Sequence, residues 1–273
     1  EEVIVPDLSY VSAANAITYL GAVPNFVDID LSSYSVCPIK LEKYLKKISK
    51  NKKGHLFNIK TKRYIKALIL VHVFGYSGEI LKIKKICKKY NLKLIEDASE
   101  CLGSYYKKKH LGTFGDFGVL SFNGNKIITS GGGGAVISSS KQKANLVEHL
   151  SKNSKVKHPW NFFHDSLGYN YKLSNLSAAL GYSQILRLNY FLEKRFKLFN
   201  KYKSTMSKID GIKMFVPIKD SKPNHWLISF RLENKFSKYQ RKILNFLNNN
   251  KVYSRPPWEL MSNLPMYKSC PRD

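Results

Sequence analysis

Ala67-Leu-Ile-Leu-Val-His-Val73 is apolar at every position but one, the pattern of a strand covered on both faces. Gly75 to Gly78 supplies a turn, with Ser77 placed to cap a helix. Ile80, Ile83, Cys87 and Tyr90 then recur at helical spacing, and after Asn91 the run Leu92–Glu96 predicts the next strand. Strand, helix and strand in that order form a βαβ unit, which predicts an α/β fold with a mostly parallel central sheet and flanking helices. Upstream, Val3–Pro6 predicts a strand, Ser12–Leu20 a helix and Asn25–Asp28 a short strand. Gly54–Arg63 is polar and unpatterned, and is expected to be an irregular surface excursion. Downstream, Phe117–Phe122 and Ala135–Ser138 predict strands, and Asn175 to about Ser204 predicts one long helix. Beyond it, only Trp226–Leu232 reads as a strand and Ser237–Leu247 as a helix. This pattern divides the chain into a large domain, 1–190, and a connecting helix with a smaller, truncated α+β domain, 191–273.

Composition narrows the class. With 273 residues, 43% of them hydrophobic, the chain can bury a sizeable core. No apolar run approaches the length of a membrane span. The sequence opens at Glu1 almost inside a strand and stops at Cys270-Pro-Arg-Asp273, the look of an internal fragment. Its four scattered cysteines form no CxxC pair, which points to a reducing, cytoplasmic setting rather than a disulfide framework or structural zinc. The histidines show no ligand spacing, so no metal is expected. The formal net charge of +27 suggests a polyanionic partner. Yet only seven of the 46 basic residues are arginine, and the lysines are spread over many segments. The charge therefore reads as a chain-wide bias that an anionic small substrate explains as well, and neither nucleic acid nor membrane is expected as a partner.

The chemistry concentrates in Ser121-Phe-Asn-Gly-Asn-Lys126-Ile-Ile-Thr-Ser-Gly-Gly-Gly-Gly134. Lys126 sits between two strands and beside four glycines, and an amine desolvated in such a loop can form a Schiff base with a carbonyl. In open parallel sheets, ligands bind beyond the carboxyl ends of the strands. His72, with Phe74-Gly75, and Asp97 both lie at such ends. A strand-end aspartate followed by a lysine in a glycine-rich loop suggests pyridoxal phosphate. That cofactor needs an amine for its aldehyde, a carboxylate for its ring nitrogen and a phosphate cup of hydroxyls and backbone N–H groups. Ser121 is placed for the cup, Tyr10 offers an aromatic face for the ring, and the glycines would let the backbone turn close beside it. Taken singly, each residue has an ordinary reading: Asp97 as a helix cap, Ser121 as a strand hydroxyl, Tyr10 as core packing.

Together these segments resemble the DegT/StrS-type aminotransferases, which use pyridoxal phosphate to aminate keto-sugars on nucleotide carriers. The resemblance runs from Val5-Pro6 through Asn15, Gly21–Asp28, Val71–Gly75, Glu96-Asp97-Ala-Ser-Glu100 and the Lys126 loop to Gly168–Asn175 and Ala178–Gln184. It implies the type I pyridoxal phosphate transferase fold, with Lys126 as catalytic Schiff-base lysine. It further implies that Asp97 pairs with the pyridine nitrogen, Glu100 lies near the phenolic oxygen, Ser121 binds phosphate and Tyr10 stacks on the ring. Asn170 would reach the partner subunit's cofactor phosphate, so a homodimer with shared sites is implied. His72, Asn125 and Lys172 are assigned to the substrate, although Lys172 stands where arginine is usual. Phe57–Arg63 and Trp160–Asp165 resemble members acting on UDP-4-keto-6-deoxy-N-acetylhexosamines, with glutamate as amino donor. The family's first phosphate-binding segment, a Gly-Thr-type loop, lies upstream of Glu1, so only part of the phosphate cup is expected in this chain. A family branch that dehydrates its sugar carries histidine in place of the lysine, and Lys126 therefore favours transamination. Two other classes compete: a catalytically silent or regulatory member of the same fold, and a basic nucleic-acid-binding module.

Overall fold

In the computed structural model, which describes all 273 residues, the elements follow in the order β1 (Glu2–Pro6), α1 (Ser12–Tyr19), β2 (Val23–Val27), α2 (Pro38–Ile48), β3 (Ser49–Lys52), β4 (His55–Asn58), β5 (Tyr64–Val71), α3 (Ile80–Lys89) and β6 (Lys93–Asp97). Next come β7 (Tyr105–Tyr106), β8 (Lys109–His110), β9 (Phe117–Ser121), β10 (Gly134–Ile137) and α4 (Lys141–Leu150). The remainder is α5 (Asn175–Ile185), α6 (Leu188–Met206), β11 (Ile212–Met214), β12 (Ser221–Lys222), β13 (Phe230–Leu232) and α7 (Gln240–Asn249). No helix is long and apolar enough to cross a membrane.

The main sheet runs in the order β10-β9-β6-β5-β1-β2. Every neighbouring pair along it is parallel except β10 with β9. Apolar side chains are buried on both faces, which is why β5 is apolar from Ala67 to Val71 rather than alternating. Leu68 and Leu70 join α2 (Leu41, Leu45, Ile48) and α3 (Ile80, Ile83) in one core. Val5 and Val71 join α1 (Ala13, Ala14, Ile17) in another, to which Phe215, Trp226, Met261 and Tyr267 from the C-terminal part are added. The architecture is the α/β fold with a mostly parallel sheet that the sequence pattern predicts.

Four local expectations are corrected. Gly54–Arg63 is not an irregular excursion: β4 pairs antiparallel with β3 and β5. Two of its polar residues are used inside: the buried Glu2 carboxylate accepts from Asn58 Nδ2 at 3.0 Å and from the Thr61 hydroxyl, as it does from Asn25 Nδ2 at 2.9 Å. Ser77 caps no helix; its hydroxyl donates to the Gly78 carbonyl. The long helix is two, broken after Ile185. Its halves meet different surroundings: Leu188, Phe191 and Leu192 of α6 pack on the core, whereas α5 buries nothing. Only the end of Trp226–Leu232 is a strand. His225 takes a left-handed backbone (φ 51°), and the Trp226 N–H donates to Asn224 Oδ1 at 2.9 Å, a local turn that competes with strand pairing.

One buried carboxylate joins several of these pieces. Glu96 lies 3.0 Å from His72 Nε2, and it accepts from Gly112 N at 2.8 Å and from Phe114 N and Gly115 N at 2.6 Å. Burial alone would raise its pKa, but His72 and the loop N–H groups outweigh that and hold the carboxyl below its usual range. The clamped loop lies so close on β9 that a Cβ at Gly118 would stand 1.8 Å from the Gly112 carbonyl oxygen.

Replacing Glu96 leaves these N–H groups without a charged acceptor. Glu96→Gln is expected to lower stability by about 3 kcal/mol, read as a lower urea midpoint. An unchanged midpoint would show that the clamp contributes nothing. A second prediction concerns His225, whose ring stacks on Phe199 of α6 (centroids 3.9 Å apart) and whose Nδ1 lies 3.2 Å from the Tyr76 hydroxyl. Burial lowers its pKa from 6.5 to about 4. Between those values the unfolded chain binds a proton that the native state does not, so stability falls as pH drops through that window and levels off below about 4. Urea midpoints at several pH values should show this loss, and His225→Asn, which tolerates the left-handed backbone, should flatten it.

Candidate active site

The carboxyl ends of three adjacent parallel strands lie side by side. Val71 of β5 is opposite Asp97 of β6, and Asp97 is opposite Val119 of β9. Beyond these ends opens a cavity of about 280 Å³. Val71, Asp97, Ser99, Glu100, Ser121, Asn123, Asn125 and Lys126 line it from the sheet side. Ser9, Tyr10 and Ser12 line it from the β1–α1 connection, and Trp226, Arg255 and Trp258 from the C-terminal part. A larger cleft of about 440 Å³, lined by Lys40, Lys43, Lys47, Arg272 and Asp273 among others, contains none of the residues singled out in the sequence. The residues singled out for chemistry that gather in one place do so in the smaller cavity.

Lys126 is delivered by a short turn in which its N–H donates to the Asn123 carbonyl at 3.0 Å. The next two residues, Ile127 and Ile128, are buried in the core and anchor that turn. The lysine side chain, 14% exposed, places Nζ 3.3 Å from Glu100 Oε1 and 4.1 Å from the centre of the Trp226 ring. The other Glu100 oxygen accepts from the Phe74 N–H at 2.6 Å. Phe74 is left-handed (φ 57°), an unusual conformation for an aromatic residue, so the carboxylate secures a strained bend directly after β5. Burial pushes the Glu100 carboxyl above its usual range, a rise that the nearby Lys126 ammonium and the Phe74 N–H reduce without cancelling.

The C-terminal part closes the cavity through specific polar contacts. Asn224 donates its side-chain amide to the carbonyls of Glu100 (2.7 Å) and Leu102 (3.0 Å), and its N–H donates to Ser104 Oγ at 2.9 Å. Gly75 gives Asn224 room, since a Cβ there would lie 2.2 Å from the Asn224 side-chain oxygen. Trp226 donates its indole N–H to the Asn125 carbonyl at 2.6 Å. Farther on, Asp7 receives Ser262 N and Oγ, both at 2.7 Å, and its carbonyl receives Met261 N at 2.9 Å. That docking sets Arg255 and Trp258 across from Tyr10, whose ring lies 6.3 Å from Trp258.

Six of the residues singled out in the sequence line one cavity: Tyr10, Asp97, Glu100, Ser121, Asn125 and Lys126. His72 is a correction. It has no exposed surface and its ring is engaged with Glu96, so it supports the strand end and does not reach a substrate. Asn170 and Lys172 are exposed on the stretch before α5, outside the cavity. The four glycines are also corrected. None lines the cavity; they form the turn into β10, where Gly131 and Gly133 have φ of 79° and the Gly133 carbonyl accepts from Phe122 N at 3.0 Å. Sequence reasoning missed Ser9, Ser12, Trp226, Arg255 and Trp258. A usable signal was Arg255-Pro-Pro-Trp258, which places a scarce arginine and a tryptophan around two prolines.

These residues fit the pyridoxal phosphate implied by the sequence. The cavity holds one largely enclosed amine, a carboxylate at a rigid strand end, a tyrosine at the mouth and the hydroxyls of Ser9, Ser12 and Ser121. The comparisons agree. The model of the DegT/DnrJ/EryC1/StrS aminotransferase family matches residues 1–272. The chain is 34% identical over 268 residues to the putative pyridoxal phosphate-dependent aminotransferase EpsN of Bacillus subtilis (strain 168), covering 98% of this chain and 66% of the relative. It is 35% identical over 270 residues to GDP-perosamine synthase of Vibrio cholerae, covering 98% and 68%. Its fold matches that of Helicobacter pylori PseC, an aminotransferase involved in the biosynthesis of pseudoaminic acid, with a TM-score of 0.87 and 25% identity over 98% of this chain and 68% of the other. The chain thus spans about two thirds of the length of the curated relatives it matches. On the family match and these identities, the chain belongs to the DegT/DnrJ/EryC1/StrS aminotransferase family.

Proposed function

We propose that the protein transfers an amino group from glutamate to the C4 ketone of a nucleotide-linked 4-keto-6-deoxy sugar, with pyridoxal phosphate in the cavity and UDP as the carrier. The observation that carries this is the meeting of Lys126, Asp97 and Glu100 in one cavity at the strand ends. When bound, the cofactor supplies a carbonyl for amines to condense with and a ring that accepts the electrons of a breaking C–H bond. The protein supplies the rest. Lys126 Nζ is the amine placed to attach the carbonyl and then to take and return a proton. Glu100, 3.3 Å away, is its proton partner. Asp97, on the rigid end of β6, would hold a proton on the ring nitrogen. Ser121, with Ser9 and Ser12, would offer hydroxyls to the phosphate, and Tyr10 would supply an aromatic face. Asn125 and Arg255, in the same cavity wall, are left for the sugar nucleotide.

In this proposal residues 1–190 carry the lysine and both carboxylates, and 191–273 supply Trp226, Arg255 and Trp258. The working form is a cytoplasmic homodimer in which Asn170 and Lys172 act on the partner's site. Trp160, Phe162, Leu167, Tyr171, Leu176 and Tyr182, all within ten positions of one of those two residues in sequence, are exposed, and so many large apolar side chains left in water suit an interaction surface. UDP is favoured by the Phe57–Arg63 and Trp160–Asp165 segments, whereas the name of the Vibrio cholerae relative favours GDP.

Incubation with pyridoxal phosphate, borohydride reduction and peptide mapping are expected to give one adduct, at Lys126, which Lys126→Ala abolishes. An adduct at another residue, or none, would overturn the proposal. UDP- and GDP-linked 4-keto sugars offered with glutamate should be aminated only when UDP-linked; turnover of the GDP sugar alone would reassign the carrier.

A further inference from the structure

Trp226 belongs to no helix or strand, yet it is only 4% exposed. It touches the Lys126 turn at two separate points. Its indole N–H donates to the carbonyl of Asn125, the residue immediately before the lysine, at 2.6 Å. Its ring face lies 4.1 Å from the lysine Nζ. The first contact fixes the backbone from which the side chain starts, and the second holds the tip where it ends. A lysine has a flexible four-carbon stem and loses considerable rotamer freedom when ordered. Here the ammonium is held between an aromatic face and the Glu100 carboxylate, 3.3 Å away, which leaves it little choice of direction.

The same short segment also positions that carboxylate. Asn224, two residues earlier, donates to the backbone carbonyl of Glu100 and accepts from the Trp226 N–H. The turn Asn224–Trp226 therefore holds Lys126 and Glu100 in one frame. We propose that Trp226 is a positioning residue for Lys126, aiming its amine into the cavity. This rests on the assignment of Lys126 as the amine that captures pyridoxal phosphate. It adds a residue of the C-terminal part as the group that sets the direction of this amine before any substrate binds, while Glu100 is placed to take the proton that the ammonium must lose before it attacks a carbonyl.

The test is the rate at which Lys126 captures pyridoxal phosphate without substrate, followed as borohydride-stable label on the Lys126 peptide. Trp226→Phe keeps an aromatic face and loses the indole N–H; the Asn125 carbonyl, on an exposed residue, can turn to water. It is expected to label within about threefold of the wild-type rate. Trp226→Leu removes the ring face and is expected to slow labelling by about tenfold. Circular dichroism selects a temperature at which all three proteins are folded, so that unfolding does not mimic the effect. Wild-type labelling by Trp226→Leu would overturn the inference, as would Trp226→Phe labelling no faster than Trp226→Leu. Failure of the wild-type protein to label Lys126 would instead overturn the assignment of the lysine itself.

Discussion

The Glu96 carboxylate is the constraint on which the site depends. A fully buried charge is tolerated only when its oxygens are satisfied, and here His72 and three loop N–H groups satisfy them. Those partners lie just past the end of β5 and in the loop that leads into β9, while Glu96 itself lies on β6. Three adjacent strands are thus referred to one point, one residue before Asp97 turns into the cavity. Asp97, which lines the cavity, therefore rises from a base that does not drift. Gly118 belongs to the same arrangement, because only a residue without a Cβ lets the clamped loop lie against β9.

The C-terminal part docks on this frame through polar groups inserted into it rather than through an apolar surface alone. Asn224 binds two carbonyls of the segment that follows Asp97, Asp7 binds Met261 and Ser262, and Trp226 binds the Lys126 turn. Each contact joins a residue near a strand end to one more than a hundred positions away in sequence. The cavity is therefore complete only when both parts of the chain are folded together, and its outer wall is as specific as its floor.

This explains what the sequence disclosed. β5, α3 and β6 were legible because their apolar patterns follow from burial on two faces and on one. Asp97 and Lys126 were legible because strand ends and glycine-flanked turns are local signals. The function of Gly54–Arg63 was hidden, since Asn58 and Thr61 serve a buried carboxylate more than fifty positions away in sequence, and polarity by itself reads as exposure. His72 was misread for the converse reason: a histidine at a strand end signals a site, but its partner Glu96 is on the neighbouring strand and shows only in three dimensions. Trp226 was placed in a strand because Trp-Leu-Ile-Ser-Phe has strand composition; a left-handed residue before it, set by packing against α6, turns it into the cavity instead.

Charge distribution separates attraction from recognition. The chain carries a net +27, but within the cavity Asp97 and Glu100 face Lys126 and Arg255, so the charges there are close to balanced. The excess lies on the surface, where at physiological salt its influence fades within about 8 Å. Such a surface raises the local concentration of any anion without choosing among them. Selection falls to groups inside, and of these Lys126 and Glu100 already engage one another. Arg255 is the remaining cation in the cavity wall, and its planar guanidinium suits a phosphate or carboxylate better than any surface lysine does. A strongly basic surface is therefore no sign of nucleic-acid binding by itself, because the summed lysines attract any anion alike, while the cavity wall offers an anion one guanidinium, that of Arg255.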